Sequence, residues 1–171
     1  RRENRLFELV DGVLVEKTMG YRESLIACAL AALLRAFVVP RNLGLVSGAD
    51  GMVRLFAGLV RIPDVAYVSW DRVPGGEVPD APVPSLVPNL AVEVMSAGNT
   101  RDEMDRKLRE YLASGVELVW LVDLASRTVS VHDAARQPSV LTEADTLDGG
   151  SVLPGLALPL RDLFAELDRR R

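Results

Sequence analysis

Two acids stand where the sequence would otherwise predict apolar strands. Glu93 lies in the middle of residues 90–95, and all the other residues of this segment are apolar. Asp64 follows Pro63 directly at the entry to another β-prone segment. Burying an unpaired carboxylate costs several kcal/mol unless a cation, a metal ion or a cluster of donors offsets it. Both acids are therefore candidates for cation binding.

Lys107 is the third candidate, because lysine is rare in this chain. Of the 20 basic residues, only Lys17 and Lys107 are lysines. Where arginine is used almost everywhere else, a retained lysine indicates a need for a compact ammonium group. Lys107 is expected at the edge of a buried helical stripe, from which it can reach the preceding strand with Glu93. The stripe consists of Met104, Leu108, Tyr111 and Leu112. The residues predicted to face outward are Arg106, Arg109 and Glu110.

Two carboxylates and a lysine at one end of a sheet are suited to binding a hard cation. The oxygens of Asp64 and Glu93, with the Val94 carbonyl, are expected to bind Mg²⁺, which Mn²⁺ can replace, with waters completing the shell. Such an ion lowers the pKa of a bound water and neutralises a phosphate oxygen. Lys107 would position or deprotonate that water, or stabilise the transition state.

Each of these residues also has a structural interpretation when taken alone. Asp64 could be a turn or capping acid, and Glu93 could form a salt bridge to a buried arginine. Lys107 could extend along the helix surface with its ammonium group in water. The order of the three, an aspartate, then a glutamate in a central strand, then a lysine, favours the functional interpretation.

Local patterns predict the elements that would position these residues. Asp11-Gly12 between two β-prone runs predicts a tight hairpin, since both turn residues need positive φ. A helix is expected over residues 21–38, with an Ala-rich outer face and Cys28 also buried. Thr100 and Glu103 form a capping-box pattern at the start of the helix that carries Lys107.

The remaining segments complete an α/β pattern with a mixed sheet. Short strands are predicted over residues 45–47, 52–56, 62–68, 90–95 and 116–122, with an edge strand over 129–131. A short helix is predicted over residues 160–167. The Pro/Gly-rich residues 71–88 are expected to be a long loop, which could border a substrate channel.

Composition excludes several other classes of protein. The 49% apolar content is enough to fill a core, and the single cysteine excludes a disulfide scaffold. The net charge of -4 argues against binding to nucleic acid mainly through bulk charge. The apolar run of residues 25–34 is shorter than the roughly 20 residues needed to span a bilayer, so a soluble, cytoplasmic protein is expected.

Taken together, the motifs resemble the Uma family of bacterial restriction endonucleases, within the PD-(D/E)xK nuclease superfamily. Pro63-Asp64 matches the PD element, and Glu93-Val94-Met95 matches the (D/E)xK element with Met95 in place of its lysine. In the family the lysine is found on the following helix, in agreement with the position of Lys107. Further matches are Phe7 to Gly12, Tyr111, Gly115-Val116, Val119 to Asp123 and Leu153 to Leu156.

This resemblance implies a restriction-endonuclease-like α/β fold with a mixed central sheet, flanking helices and an N-terminal hairpin. It also implies catalysis by Asp64, Glu93 and Lys107. Relatives often have a His-Gln pair where this chain has Arg22-Glu23. Superfamily members often carry an acid on the first helix, so Glu23 is a weaker candidate for the site. Glu8, an acid in an apolar hairpin strand, is another.

We therefore expect one nuclease domain over residues 1–171, with the hairpin in 1–18, the core in 20–123 and C-terminal strands and a short helix in 124–171. The expected function is Mg²⁺-dependent endonucleolytic cleavage of nucleic acid, with DNA as the favoured substrate. The alternative is an inert fold of the same kind that acts as a nucleic-acid-binding or protein-interaction module. A homodimer would suit an enzyme that must cut two strands, although the sequence shows no interface.

Overall fold

The computed structural model describes residues 5–171, so residues 1–4 of the predicted hairpin segment lie outside the described part. The first strands are β1 (Leu6–Val10), β2 (Val13–Lys17), β3 (Gly44–Ser47), β4 (Val53–Phe56), β5 (Leu59–Arg61) and β6 (Val65–Ser69). The later strands are β7 (Leu90–Met95), β8 (Leu118–Asp123), β9 (Thr128–Asp133), β10 (Ser139–Thr142), β11 (Thr146–Gly149) and β12 (Leu153–Pro159). The α-helices are α1 (Tyr21–Val38), α2 (Arg101–Ala113) and α3 (Leu160–Ala165). Short 3-10 turns occupy Trp70–Arg72, Pro74–Gly76 and Glu166–Asp168.

The main sheet has six strands in the order β10-β9-β8-β7-β6-β3. Strands β7 and β8 are parallel and are connected through α2, whereas the other neighbours are antiparallel. A parallel pair needs such a crossover, because its second strand must start at the same end as the first. The predicted mixed α/β sheet with flanking helices is confirmed.

A second sheet, in the order β2-β1-β5-β4, contains the N-terminal hairpin. Asp11 and Gly12 have φ values of 50° and 78°, the left-handed conformation that a tight two-residue turn requires. The hairpin predicted at these residues is therefore confirmed. Strand β1 also pairs with β5, so this small sheet brings the start of the chain beside the segment that leads to Asp64.

The main sheet separates two hydrophobic layers. On one face, α1, α3 and β12 pack over residues such as Val92 and Trp120. On the other face, α2 and the small sheet pack over Ala91 and Val119. Because side chains alternate along a strand, Glu93 belongs to the second face, together with Ala91. The acid thus points toward α2 and the small sheet.

The prediction for the outer face of α1 is wrong. The helix packs on the sheet through Ile26, Leu30 and Leu34, which are fully buried. Cys28 lies on a different side of the helix and is exposed. A helix that lies on one face of a sheet can be buried along one stripe only, even when its other face is rich in alanine.

Two strand predictions also need correction. The strand predicted over residues 62–68 begins only at Val65, and a separate strand, β5, ends just before Ile62. Pro63 has no N–H to donate, and the N–H of Ile62 donates to the Glu8 carboxylate instead of to a neighbouring strand. The strand predicted at residues 129–131 is not at the edge, because β9 lies between β8 and β10.

No helix in the described part of the chain is long and apolar enough to cross a membrane. The assignment of residues 1–171 to one domain stays a prediction.

Candidate functional site

Glu93 is a buried carboxylate on a central strand. It is only 3% exposed, and both of its oxygens have partners on α2. The hydroxyl of Tyr111 donates to Oε1 at 2.6 Å, and the ammonium of Lys107 donates to Oε2 at 3.2 Å. The carboxylate is therefore compensated by a cation and a neutral donor, as burial requires.

Asp64 lies beside Glu93, directly before the first residue of the adjoining strand β6. Its N–H donates to the carbonyl of Val92, and its Oδ2 accepts the N–H of Val94 at 2.7 Å. These two bonds extend the pairing of β6 with β7 by one step, with a side chain replacing the main chain. Asp64 and Glu93 thus meet where β6 begins and β7 ends.

Lys107 reaches the acids from α2 in the way helical spacing predicts. Thr100 caps the helix, and the reciprocal bonds of its capping box with Glu103 are both present. Two turns later, the Lys107 ammonium lies 3.2 Å from Glu93 Oε2 and 3.4 Å from Glu8 Oε2. The structure therefore brings Asp64, Glu93 and Lys107 together in one cluster.

Glu8 and Arg61 add a second acid–base pair to this cluster. Arg61 Nη1 lies 2.7 Å from Glu8 Oε2, and both side chains are 4% exposed. Glu8 Oε1 accepts the N–H of Ile62 at 3.0 Å. Glu110, which was predicted to face outward, instead pairs with the Arg61 guanidinium through Nη2 and through Nε at 2.9 Å. The prediction for Glu110 is wrong because the small sheet places Arg61 beside α2.

Lys17 is a site residue that the sequence reasoning missed. Its ammonium lies 2.8 Å from Asp64 Oδ1, and its side chain is 6% exposed. It also donates to the carbonyls of Ile62 at 2.5 Å and Ala49 at 2.9 Å. Both lysines of the chain therefore contact the candidate acids, and the scarcity of lysine was the signal that could have identified Lys17.

The pKa values of two buried acids, Glu93 and Glu8, shift in opposite directions. Burial raises the pKa of the Glu93 carboxyl; the Lys107 ammonium opposes this rise, and the nearby charges of Asp64 and Glu8 add to it. Burial alone would also raise the pKa of Glu8, but Lys107, Arg61 and the Ile62 N–H together hold it below its ordinary value. Glu8 is therefore the more firmly ionised of the two.

The donors in the cluster keep their protons. Burial would lower the pKa of Lys107, but the carboxylates of Glu93 and Glu8 raise it above its ordinary value. Burial, followed by those same two carboxylates, raises the pKa of the Tyr111 hydroxyl well above its ordinary value. At neutral pH Lys107 is therefore a cation, and Tyr111 is a neutral hydrogen-bond donor.

The cluster opens into a cavity of about 340 Å³ between the hairpin and the start of α2. Its walls include Glu8, Val10, Val15, Glu16, Lys17, Thr18, Arg61, Asp64, Glu93, Val94, Gly98, Asn99, Glu103, Arg106 and Lys107. This cavity gives solvent and a small charged group access to the acids. Four cations line it, although the chain as a whole is acidic.

Two other predicted contributors are not at this cavity. Glu23 lies near the start of α1, which packs on the opposite face of the main sheet, so it does not join the site. The loop of residues 71–88 does not line the cavity either, and the suggestion that it borders a substrate channel stays a prediction. It leads into the start of β7, whereas the acids lie toward the end of that strand.

The donor atoms suit Mg²⁺ in type. Asp64 and Glu93 offer carboxylate oxygens, and Mg²⁺ is commonly bound through one or two carboxylates with waters completing the shell. The Val94 N–H points to Asp64, so its carbonyl also lies on that side of β7, because both groups of a strand residue face the same way. Among residues 5–171, no three His, Cys, Asp or Glu side chains are already gathered as a metal cage. An ion would therefore rely on water and substrate oxygens for the rest of its shell.

Comparison with known proteins shows similarity to a protein family and to a solved structure. The model of the Uma2 family, described as “Putative restriction endonuclease”, matches residues 1–161. The crystal structure of a “putative nuclease belonging to DUF820” from Anabaena variabilis is similar to this chain with a TM-score of 0.83. The two chains are 22% identical, and the match covers 94% of this chain and 90% of that one, so the likeness is one of fold. No curated protein sequence matches the chain significantly.

Proposed function

This chain belongs to the Uma2 family of restriction-endonuclease-like proteins, and we propose that it is a Mg²⁺-dependent endonuclease that hydrolyses phosphodiester bonds, with DNA as its substrate. The main support is the meeting of Asp64, directly before β6, with Glu93 on β7, and the position of Lys107 3.2 Å from Glu93. The family and the nuclease-like fold agree with the sequence motifs that predicted them.

In this proposal, Asp64, Glu93 and the Val94 carbonyl hold the ion. When bound, Mg²⁺ would supply a Lewis acid for a phosphate oxygen and a water with a lowered pKa. Glu93 is kept in place by Tyr111, and Asp64 is kept in place by the N–H of Val94. Both ligands are therefore held in place by neighbouring hydrogen-bond donors, which favours a preorganised site.

The charge on Lys107 favours one of its candidate roles. Because Glu93 and Glu8 raise its pKa, Lys107 is an ammonium at neutral pH and has no free lone pair to accept a proton. It is therefore suited to orienting the attacking water and stabilising negative charge in the transition state. A general-base role would need a neutral amine, which these neighbours disfavour.

Metal binding can be tested without a substrate by thermal unfolding in excess Mg²⁺ or Mn²⁺. Saturation at about 100 times Kd adds roughly 2.7 kcal/mol, which for a domain of this size is about 5–10 °C in Tm. The shift should appear in the wild type and in the exposed control Glu77→Gln, and it should vanish in Glu93→Gln. An equal shift in Glu93→Gln would place the ion elsewhere and contradict the assignment.

Cleavage is tested by nicking of supercoiled DNA in the presence of Mg²⁺, with RNA as the competing substrate. Asp64→Asn should abolish cleavage while circular dichroism shows an intact fold, whereas the exposed Asp105→Asn should cut like the wild type. Full activity of Asp64→Asn would disprove its catalytic role.

Homodimer formation and a cytoplasmic location stay predictions.

A binding module without catalysis is the second candidate, and charge balance is the observation that favours it. Four acids, Glu8, Asp64, Glu93 and Glu110, are matched by four cations, Lys17, Arg61, Lys107 and Arg106. Such a cluster can be stable without a metal. This candidate predicts no metal-dependent Tm shift. Glu93→Gln should lower stability, because Lys107 loses one of its two carboxylate partners.

A further inference from the structure

Lys17 is held in a nearly complete cage of oxygen atoms. Its ammonium has three protons and three acceptors, namely Asp64 Oδ1 at 2.8 Å, the Ile62 carbonyl at 2.5 Å and the Ala49 carbonyl at 2.9 Å. Its side chain is 6% exposed. Two of the three acceptors belong to the main chain, so the position of the ammonium is set by the backbone as well as by Asp64.

The Lys17 ammonium contacts Asp64 Oδ1, the oxygen that a bound ion would need. The other oxygen, Oδ2, accepts the N–H of Val94 at 2.7 Å, so both oxygens of the carboxylate are engaged. A divalent ion bound to Asp64 would lie about 2 Å from its ligand oxygen. The ion and the ammonium would then be like charges a few ångströms apart in a buried site, where repulsion is strong.

The ammonium of Lys107 is held less firmly than that of Lys17. Its ammonium is more exposed, at 14%, and it contacts two carboxylates, Glu93 and Glu8, at 3.2 and 3.4 Å. It could move toward Glu8 or the cavity when an ion binds to Glu93. Lys17 is fixed by the carbonyls of Ala49 and Ile62, so its charge stays near Asp64 whether or not an ion is present.

We propose that Lys17 is an internal cation that competes with the divalent ion at Asp64 and thereby sets the metal affinity of the site. This inference rests on the proposed function, since it assumes that Asp64 and Glu93 bind the ion. Lys17 acts through Asp64 and is a positioning residue: it orients the carboxylate and weakens its hold on a metal. The site would consequently load at a higher metal concentration than two buried carboxylates alone would require.

Mn²⁺ titration of the substrate-free protein, followed by electron paramagnetic resonance, tests this inference. Lys17→Met removes the charge and keeps a flexible apolar chain, and it should bind Mn²⁺ at least tenfold more tightly than the wild type. Arg54→Met removes one charge from an exposed position on β4 and should leave the affinity unchanged. Wild-type or weaker affinity in Lys17→Met would overturn the proposal.

A second variant covers the case in which Lys17→Met does not fold. Lys17→Gln keeps two N–H donors for the carbonyls of Ala49 and Ile62 but carries no charge, and the same gain in affinity is expected. The gain should disappear when Glu93→Gln is added to either variant.

Comparison of the wild type with Glu93→Gln separates the proposed metal site from the proposed role of Lys17. Glu93-dependent Mn²⁺ binding without a gain in the Lys17 variants overturns the role of Lys17 alone. An absence of Glu93-dependent binding in every protein overturns both that role and the proposed metal site.

Discussion

Replacing Arg61 with methionine should strongly destabilise the protein. Arg61 is 4% exposed and lies between the carboxylates of Glu8 and Glu110. Through them it connects the hairpin strand β1, its own strand β5 and the helix α2. Methionine fills much of the same volume, so the main effect of Arg61→Met is to leave buried negative charge without its partner.

The size of the effect follows from the burial of Glu8. Removing one partner of a buried ion pair typically costs about 3–5 kcal/mol. Lys107 remains 3.4 Å from Glu8, and the N–H of Ile62 is still bonded to it, so the lower end, about 3 kcal/mol, is expected. At about 2–4 °C per kcal/mol for a domain of this length, Tm should fall by about 6–12 °C.

Urea unfolding followed by circular dichroism measures this change, with Arg169→Met as the control. Arg169 pairs with Glu166, but its side chain is 76% exposed, so its loss should leave the urea midpoint unchanged. Adding Glu8→Gln to Arg61→Met removes the stranded charge and should recover about 1 kcal/mol or more. A loss below about 1 kcal/mol in Arg61→Met, or strictly additive effects in the double variant, would refute this account of the cluster.

Three further predictions concern single residues. The pKa of Glu8 is lowered in the folded protein, so its stabilisation is present above its ordinary pKa and is lost as pH falls through the lowered one. Below about pH 5, metal-free wild type should therefore lose more stability than Glu8→Gln, as urea midpoints at each pH will show. Thr100→Ala removes the capping box of α2 and should cost about 1 kcal/mol in urea unfolding, whereas an unchanged midpoint would mean the cap is not formed. Cys28 is exposed, so one thiol per chain should react with Ellman's reagent in the folded protein; reaction only in denaturant would contradict its position on α1.

The features that were predicted correctly depend on neighbours in the sequence. The Asp11-Gly12 hairpin, the capping box at Thr100 and the strand around Glu93 are all present. The approach of Lys107 to Glu93 follows from the same local geometry. A helix that begins a few residues after a strand and packs back on it must place its inner face over that strand.

The features that were missed depend on contacts between distant segments. Lys17 and Asp64 are 47 residues apart, and Arg61 and Glu110 are 49 apart. Whether such residues meet depends on the pairing of β1 with β5 and on the face of α2 that the small sheet covers. Neither of these leaves a periodic signal in the sequence.

The sequence alone predicted the fold class through short-range spacing and turn chemistry, and the family through the resemblance of its motifs. It also predicted that Asp64, Glu93 and Lys107 lie close together. The tertiary structure decided the other partners: Lys17 on Asp64, Tyr111 on Glu93, and Arg61 between Glu8 and Glu110. It also placed Glu23 away from the cavity and Cys28 on the exposed side of α1. The physical reason is that a buried charge must find a partner in space, and the order of strands in the two sheets determines which residues are near enough to serve.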